Sequence, residues 1–157
     1  MNKIVVVDYG MGNLRSVVQA LGHVAGSRAE VMLTSDPAVV STADRVVFPG
    51  QGAMRDCMAE LAASGLRQAV LDAACSKPFF GICVGAQLLL EHSEEGDTPA
   101  LGFFPGNVRR FASGQSTADG ARLKVPHVIH VCFSAGNLET MAKAAGRGVV
   151  IADNDIS

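Results

Sequence analysis

The sequence predicts an α/β fold: a mostly parallel sheet with helices on both faces. Three observations carry the prediction. Short apolar runs alternate with stretches of helical periodicity. The runs show little inside-outside alternation, as expected of strands buried on both faces. Three glycine-rich turns stand where strands end, Asp8-Tyr9-Gly10-Met11-Gly12-Asn13, Pro49-Gly50-Gln51-Gly52 and Gly81-Ile82-Cys83-Val84-Gly85. Ligands of such sheets collect at the carboxyl ends of strands, so these turns are expected to converge on one cleft.

In chain order, the first strand is read at Ile4–Val7, followed by a helix whose Leu14, Val17, Val18 and Leu21 repeat at i, i+3, i+4, i+7. Strands follow at Glu30–Leu33 and Val46–Phe48. Met54, Met58 and Leu61 mark the next helix, and Phe79–Ile82 the strand that leads into Cys83. Beyond Leu90 the pattern weakens. Glu91 to Asp97 reads as a polar loop, and Asn107–Phe111 and Arg122–Val125 as strands of a small antiparallel addition, joined by the turn-rich Gly114 to Gly120. The last thirty residues recover an α/β rhythm, with a strand at Val128–Phe133, a helix face of Leu138, Met141, Ala142 and Ala145, and a strand at Val149–Ala152.

Composition excludes several function classes. A length of 157 residues with 48% hydrophobic content suits one domain with a real core. Thirteen basic and 15 acidic residues leave a net charge of -2, so nothing draws the chain generally to nucleic acid or to acidic membranes. The start runs directly into Lys3-Ile4-Val5-Val6-Val7-Asp8 with no cleavable signal pattern, and a cytoplasmic protein is expected. Cysteines 57, 75, 83 and 132 lack any C-x-x-C spacing, which points to free thiols, no metal site and no cofactor.

The chemistry concentrates at Cys83. An apolar run, a cysteine between Gly81 and Gly85 and a following helical pattern make the layout of a nucleophile elbow, whose tight turn needs small neighbours. A helix starting there would favour thiolate through its dipole. A thiolate beside backbone N–H donors is equipment for acyl transfer, because those donors stabilise the oxyanion of the tetrahedral intermediate. The Val84 N–H is one expected donor. The Pro49 to Gly52 turn is the other, with Gly50 expected to present the Gln51 amide from a conformation most residues avoid, although taken alone this turn reads first as an ordinary strand end. Gly10-Met11-Gly12 supplies two glycines of a G-x-G-x-x-G pattern with Arg15 in place of the third, so a dinucleotide loop is rejected. Asn13 is left with two readings, a cleft-rim or partner-facing residue and a helix start.

Four stretches carry a family resemblance: Val7-Asp8-Tyr9-Gly10-Met11-Gly12-Asn13-Leu14, Phe48-Pro49-Gly50-Gln51-Gly52-Ala53-Met54, Gly81-Ile82-Cys83-Val84-Gly85-Ala86-Gln87 and Glu91-His92-Ser93-Glu94-Glu95-Gly96-Asp97. From residue 1 to about 127 the chain closely resembles the glutaminase subunits of imidazole glycerol phosphate synthases, class I glutamine amidotransferases of histidine biosynthesis. The resemblance implies a flavodoxin-like sheet and hydrolysis of glutamine through a Cys83 thioester. It implies an oxyanion and substrate site of Gly50, Gln51, Gly52, Val84, Gly85 and Gln87, and a partner-facing Asn13. The implied partner is a (β/α)8-barrel cyclase subunit, in a heterodimer that passes ammonia between its halves, with no cofactor, membrane or nucleic acid involved.

The resemblance stops near His127. The family completes its nucleophile with a His and a Glu in a Phe-His-Pro-Glu type segment, which these 157 residues do not contain. His23, His92, His127 and His130 lack the Pro-Glu pair, and none of them, nor Glu139, is nominated as base. The chain is therefore expected to be a C-terminally incomplete amidotransferase domain over 1–127 with a non-matching βαβ-like tail over 128–157, its catalysis impaired. The tail is similar to part of a Toprim domain, with Asp153 and Asp155 two apart beyond a strand, a spacing that in extended backbone could share a divalent metal. A frayed terminus is the preferred reading of that pair. The alternatives to an enzyme are thus a non-catalytic partner-binding module and a fragment of a Toprim-type nucleic-acid enzyme.

Overall fold

The structure, a computed structural model, describes residues 2–110, 129–132 and 149–151. The main elements are β1 (Asn2–Val7), α1 (Leu14–Ala25), β2 (Ala29–Thr34), α2 (Pro37–Thr42), β3 (Arg45–Gly50), α3 (Met54–Ser64), α4 (Arg67–Ser76), β4 (Phe79–Cys83) and the single turn α5 (Val84–Gln87). After them come β5 (His92–Ser93), a 3-10 turn (Glu95–Asp97), β6 (Thr98–Pro99), β7 (Asn107–Arg110), β8 (Ile129–Cys132) and β9 (Val149–Ile151).

β2, β1, β3, β4 and β9 lie side by side in that order, and every neighbouring pair is parallel. All three glycine-rich turns therefore leave the sheet on the same side, at the carboxyl ends of its strands. Strand order reverses between β1 and β3, where open α/β sheets form their ligand crevice. The four strands expected from the apolar runs are all present, and β8 and β9 fall inside the predicted Val128–Phe133 and Val149–Ala152. The predicted strand Arg122–Val125, the helix face from Leu138 to Ala145, and Glu139, His127, Asp153 and Asp155 lie outside the described residues.

One sheet face carries the main core. Val5, Val7, Val46, Phe48 and Phe79 are buried there with Val40 of α2, Met54, Cys57 and Leu61 of α3, and Val70 and Ala73 of α4. Phe48 is its centre, with ring centroids 5.2 Å from Tyr9 and 6.0 Å from Phe79. Each buried aromatic of this kind contributes on the order of 2 kcal/mol. Val6 and Val47 are buried outside that cluster, so the strands bury both faces.

Helix α2 is short, and its ends are fixed from outside. Asp36 caps the start by accepting the Ala38 N–H at 2.8 Å, with Pro37 at the first helical position. Lys77 closes the other end, donating from Nζ to the carbonyls of Ser41, Ala43 at 2.8 Å and Val40 at 3.4 Å. An ammonium on otherwise unpaired terminal carbonyls complements the helix dipole. Lys77→Met is expected to cost about 2 kcal/mol, the range for hydrogen bonds to a charged group. Urea denaturation checks it through a lower midpoint at unchanged slope.

The second sheet corrects an expectation. Glu91 to Asp97 is not simply a loop: β5 starts within it, and the order β6, β5, β7, β8 is mixed, with β5 and β7 parallel and the outer pairs antiparallel. Polar composition concealed β5 because its contacts are polar. Ser93 is fully buried, its hydroxyl accepting the Glu95 N–H at 3.1 Å, and Thr98 donates to the Glu95 carbonyl at 2.9 Å. No helix among the described residues is long and apolar enough to cross a membrane.

Candidate active site

β4 delivers Cys83 at its last residue, in register with Gly50 of β3, so strand pairing continues up to the sulfur. The Cys83 backbone has φ 53° and ψ -123°, a region that L-residues rarely occupy. Cys83 is an exposed residue, whereas Cys57 is buried. The strained conformation persists because α5 is packed directly on the sheet through three glycines. A Cβ on Gly81 would lie 2.7 Å from the Ala86 Cα, one on Gly50 would lie 2.5 Å from the Gly85 N, and one on Gly85 would run into the Phe48 carbonyl. The sequence bracket of Gly81 and Gly85 thus has the expected cause, close backbone approach.

Two details differ from expectation. Gly50 does not use a glycine-only conformation; it ends β3 opposite Cys83, and what excludes a side chain there is space, with the Tyr9 hydroxyl 2.8 Å from its Cβ position. The positive φ, 104°, belongs to Gly52 instead. The helix after Cys83 is one turn long, so its dipole is small and α5 acts chiefly as a rigid support.

The three turns do meet. A Gly12 Cβ would lie 3.7 Å from Pro49 Cβ, and a Gly52 Cβ 3.0 Å from the Met11 terminal methyl. Asn13 caps α1, its side chain accepting the Ser16 N–H at 3.4 Å while remaining exposed, so the helix-start reading holds for it. Gln87 is half-buried, and its Oε1 is buried with no partner among the described residues. An orphaned acceptor one turn past the nucleophile is available to a ligand donor.

Three participants were not legible beforehand. Glu95, fixed by Ser93 and Thr98, sends Oε2 to the Met54 N–H at 3.2 Å and caps α3, whose own preceding residue Ala53 offers no side-chain cap. That contact ties the second sheet to the Gln51 turn. The Cys57 thiol donates to the Gln51 carbonyl at 3.4 Å. Tyr9 is buried, its hydroxyl set beside the Cys57 thiol.

Among the residues whose side chains are described, no histidine hydrogen-bonds the Cys83 sulfur. His23 ends α1, His92 Nε2 pairs with Asp97 at 3.0 Å, and His130 sits in β8 opposite Arg109. Among the described residues nothing hydrogen-bonds Cys83 Sγ, and no cluster of side chains suits a metal.

Burial pushes the Tyr9 phenol well above its ordinary value, with the Cys57 and Cys83 sulfurs adding to the shift. Burial likewise pushes the Cys57 thiol up, outweighing its hydrogen bonds. As pH rises past the ordinary thiol and phenol range of about 8.5 to 10, the unfolded chain loses these protons while the folded chain keeps them. The unfolded state gains, so stability complete below that range falls above it. The urea midpoint is expected to decline between about pH 9 and 11, and Tyr9→Phe to flatten that decline.

Comparison with known proteins accounts for this arrangement. The family model for glutamine amidotransferase class-I matches residues 5–149. The chain is 65% identical over 126 residues to the imidazole glycerol phosphate synthase subunit HisH of Dechloromonas aromatica, covering 80% of this chain and 58% of that protein. It is 60% identical over 129 residues to the HisH subunit of Aromatoleum aromaticum, covering 82% and 60%. It is 63% identical over 126 residues to that of Chromobacterium violaceum, covering 80% and 59%. The chain spans about three fifths of the length of these curated relatives. A solved structure described as a glutamine amidotransferase superposes with a TM-score of 0.55 at 19% identity, covering 81% of this chain and 69% of its own, a likeness of fold. A strained cysteine at the end of a central parallel strand, glycines that let one helical turn rest on the sheet, and a family match across nearly the whole chain lead to one assignment: the chain belongs to the class-I glutamine amidotransferases.

Proposed function

We propose that the chain is the amidotransferase part of the glutaminase subunit of an imidazole glycerol phosphate synthase, built to release ammonia from glutamine. The observation that carries this reading is the exposed Cys83 at φ 53°, held against the Gly50 to Gly52 turn. Identities of 60 to 65% with HisH subunits support the choice among amidotransferases. In the proposed reaction the Cys83 sulfur attacks the glutamine δ-carbonyl, a C–S bond forms and the carbonyl electrons move to oxygen. N–H donors of Gln51 and Val84 hold that oxyanion. The C–N bond then breaks, ammonia leaves with an added proton, and water cleaves the thioester to glutamate. Gly52, Gly85 and Gln87 hold the substrate, the last through its unpaired Oε1. Asn13, exposed at the head of α1, faces the (β/α)8-barrel cyclase subunit in a cytoplasmic heterodimer. The domain division proposed is 1–127 for the amidotransferase part, followed by the tail.

Ammonia release needs a proton donor that these 157 residues do not supply in family form. An activated ester avoids that demand, because its leaving group departs unprotonated. With γ-glutamyl p-nitrophenyl ester, a burst of one p-nitrophenolate per chain and a γ-glutamyl adduct on the Cys83 peptide are expected, while glutamine itself is turned over orders of magnitude more slowly than by an intact enzyme. Brief iodoacetamide treatment should label Cys83 ahead of Cys75, the other exposed thiol among the described residues. Uniform labelling together with no burst rejects the reading.

A further inference from the structure

Cys57 has no task in the reaction as proposed, yet it is placed with some care. It is fully buried in α3, six residues past Gln51, and its Sγ donates to the Gln51 carbonyl at 3.4 Å. A trans peptide turns its N–H away from its C=O. A Gln51 carbonyl held toward the buried thiol therefore turns the Gly52 N–H the opposite way, and that N–H donates to nothing among the described residues. The φ of 104° at Gly52 is the backbone counterpart of this orientation. Tyr9 supplies a second, independent feature. Its buried hydroxyl lies beside the Cys57 thiol and 2.8 Å from where a Gly50 Cβ would stand. One thiol and one phenol thus close the inner side of the Gly50 to Gly52 turn.

We infer that Cys57 is a positioning residue for this turn: its buried thiol anchors the Gln51 carbonyl and so fixes the backbone of Gln51, whose own N–H is the proposed donor to the carbonyl under attack at Cys83. The inference rests on the acyl-transfer reading above and deepens it. Cys57 touches no substrate and transfers no proton; it acts through the Gln51 carbonyl. The Glu95 carboxylate on the Met54 N–H restrains the far end of the same segment, so the thiol governs the middle of a turn already anchored at both ends.

The test compares the unchanged 157-residue chain with Cys57→Ala, Cys57→Val and Cys57→Ser. Ala and Val lack a donor and bracket the volume of cysteine; Ser keeps one. Burst kinetics with γ-glutamyl p-nitrophenyl ester read acylation, and the iodoacetamide rate at the Cys83 peptide reads thiol reactivity without building an oxyanion. Ala and Val are expected to slow acylation roughly tenfold, a fraction of what loss of an oxyanion donor itself costs. Ser is expected to restore the rate to within about threefold, and the alkylation rate is expected to stay the same in all four chains. Acylation that follows volume rather than the donor, or acylation and alkylation falling together, overturns the positioning role. A burst in the unchanged chain that Ala and Val match overturns it too, while leaving the acyl-transfer reading intact. No burst in the unchanged chain removes both.

Discussion

Gly85→Ala is expected to lower stability by at least about 3 kcal/mol and the thermal midpoint by roughly 6 to 12 °C, the upper part of the range for overpacking and its consequence for a domain of this size. The added Cβ would meet the Phe48 carbonyl and lie 2.8 Å from the Phe48 carbonyl carbon and 2.9 Å from that of Pro49. Those atoms are backbone of a central strand, so no rotamer change relieves the clash. α5 must lift, and Cys83 then loses the support that keeps it at positive φ. Acylation by an activated ester should fall with stability. Gly22→Ala is the control in α1, where a Cβ meets nothing within 4 Å. It should stabilise by about 0.5 to 1 kcal/mol, because alanine loses less conformational freedom in a helix. Scanning calorimetry on the two variants gives shifts of opposite sign; a shared sign contradicts the packing of α5.

Cys83→Gly separates function from stability in the other direction. Acylation is expected to vanish completely, since no other thiol among the described residues is both exposed and beside the turn. Stability is expected to rise by about 1 kcal/mol, because a glycine at φ 53° escapes a strain of about 1 to 3 kcal/mol while its freer unfolded chain returns part of the gain. Cys83→Ala, which keeps the Cβ, should lose acylation with no such rise. Urea denaturation of both variants measures the difference. Equal midpoints for Gly and Ala would show that the elbow conformation is unstrained.

What was legible in the sequence follows from how each feature is encoded. Buried parallel strands write themselves as apolar runs, so Ile4–Val7, Glu30–Leu33, Val46–Phe48 and Phe79–Ile82 matched β1 to β4 within a few residues. Leu14, Val17, Val18 and Leu21 marked α1 in the same way. Helix α4 went unread because its buried face is mainly small, Ala69, Ala73 and Ala74 around Val70, and α2 because six residues cannot display a period. At the site, the elbow was legible since its glycines and cysteine are contiguous. The support was not. Tyr9, Cys57 and Glu95 come from separate stretches of the chain and meet around the Gln51 turn only when β1, β3, α3 and the second sheet are assembled, and nothing in their types announces those contacts. Gly50 shows the limit most plainly: its identity was read correctly, but as a conformational need, when the cause is the Tyr9 hydroxyl and the Gly85 amide pressing from either side.

The place of β9 has a consequence for handling the protein in solution. Val149–Ile151 pairs with Phe79, Phe80 and Gly81 of β4, so the strand bearing the nucleophile is internal to the sheet. A shortened form ending before Val149 would leave β4 as an edge, with a row of unpaired amides and carbonyls next to two phenylalanines. Open apolar edges of this kind template pairing between molecules. The three residues of β9 therefore guard against self-association, and their removal should be felt first as precipitation on concentration.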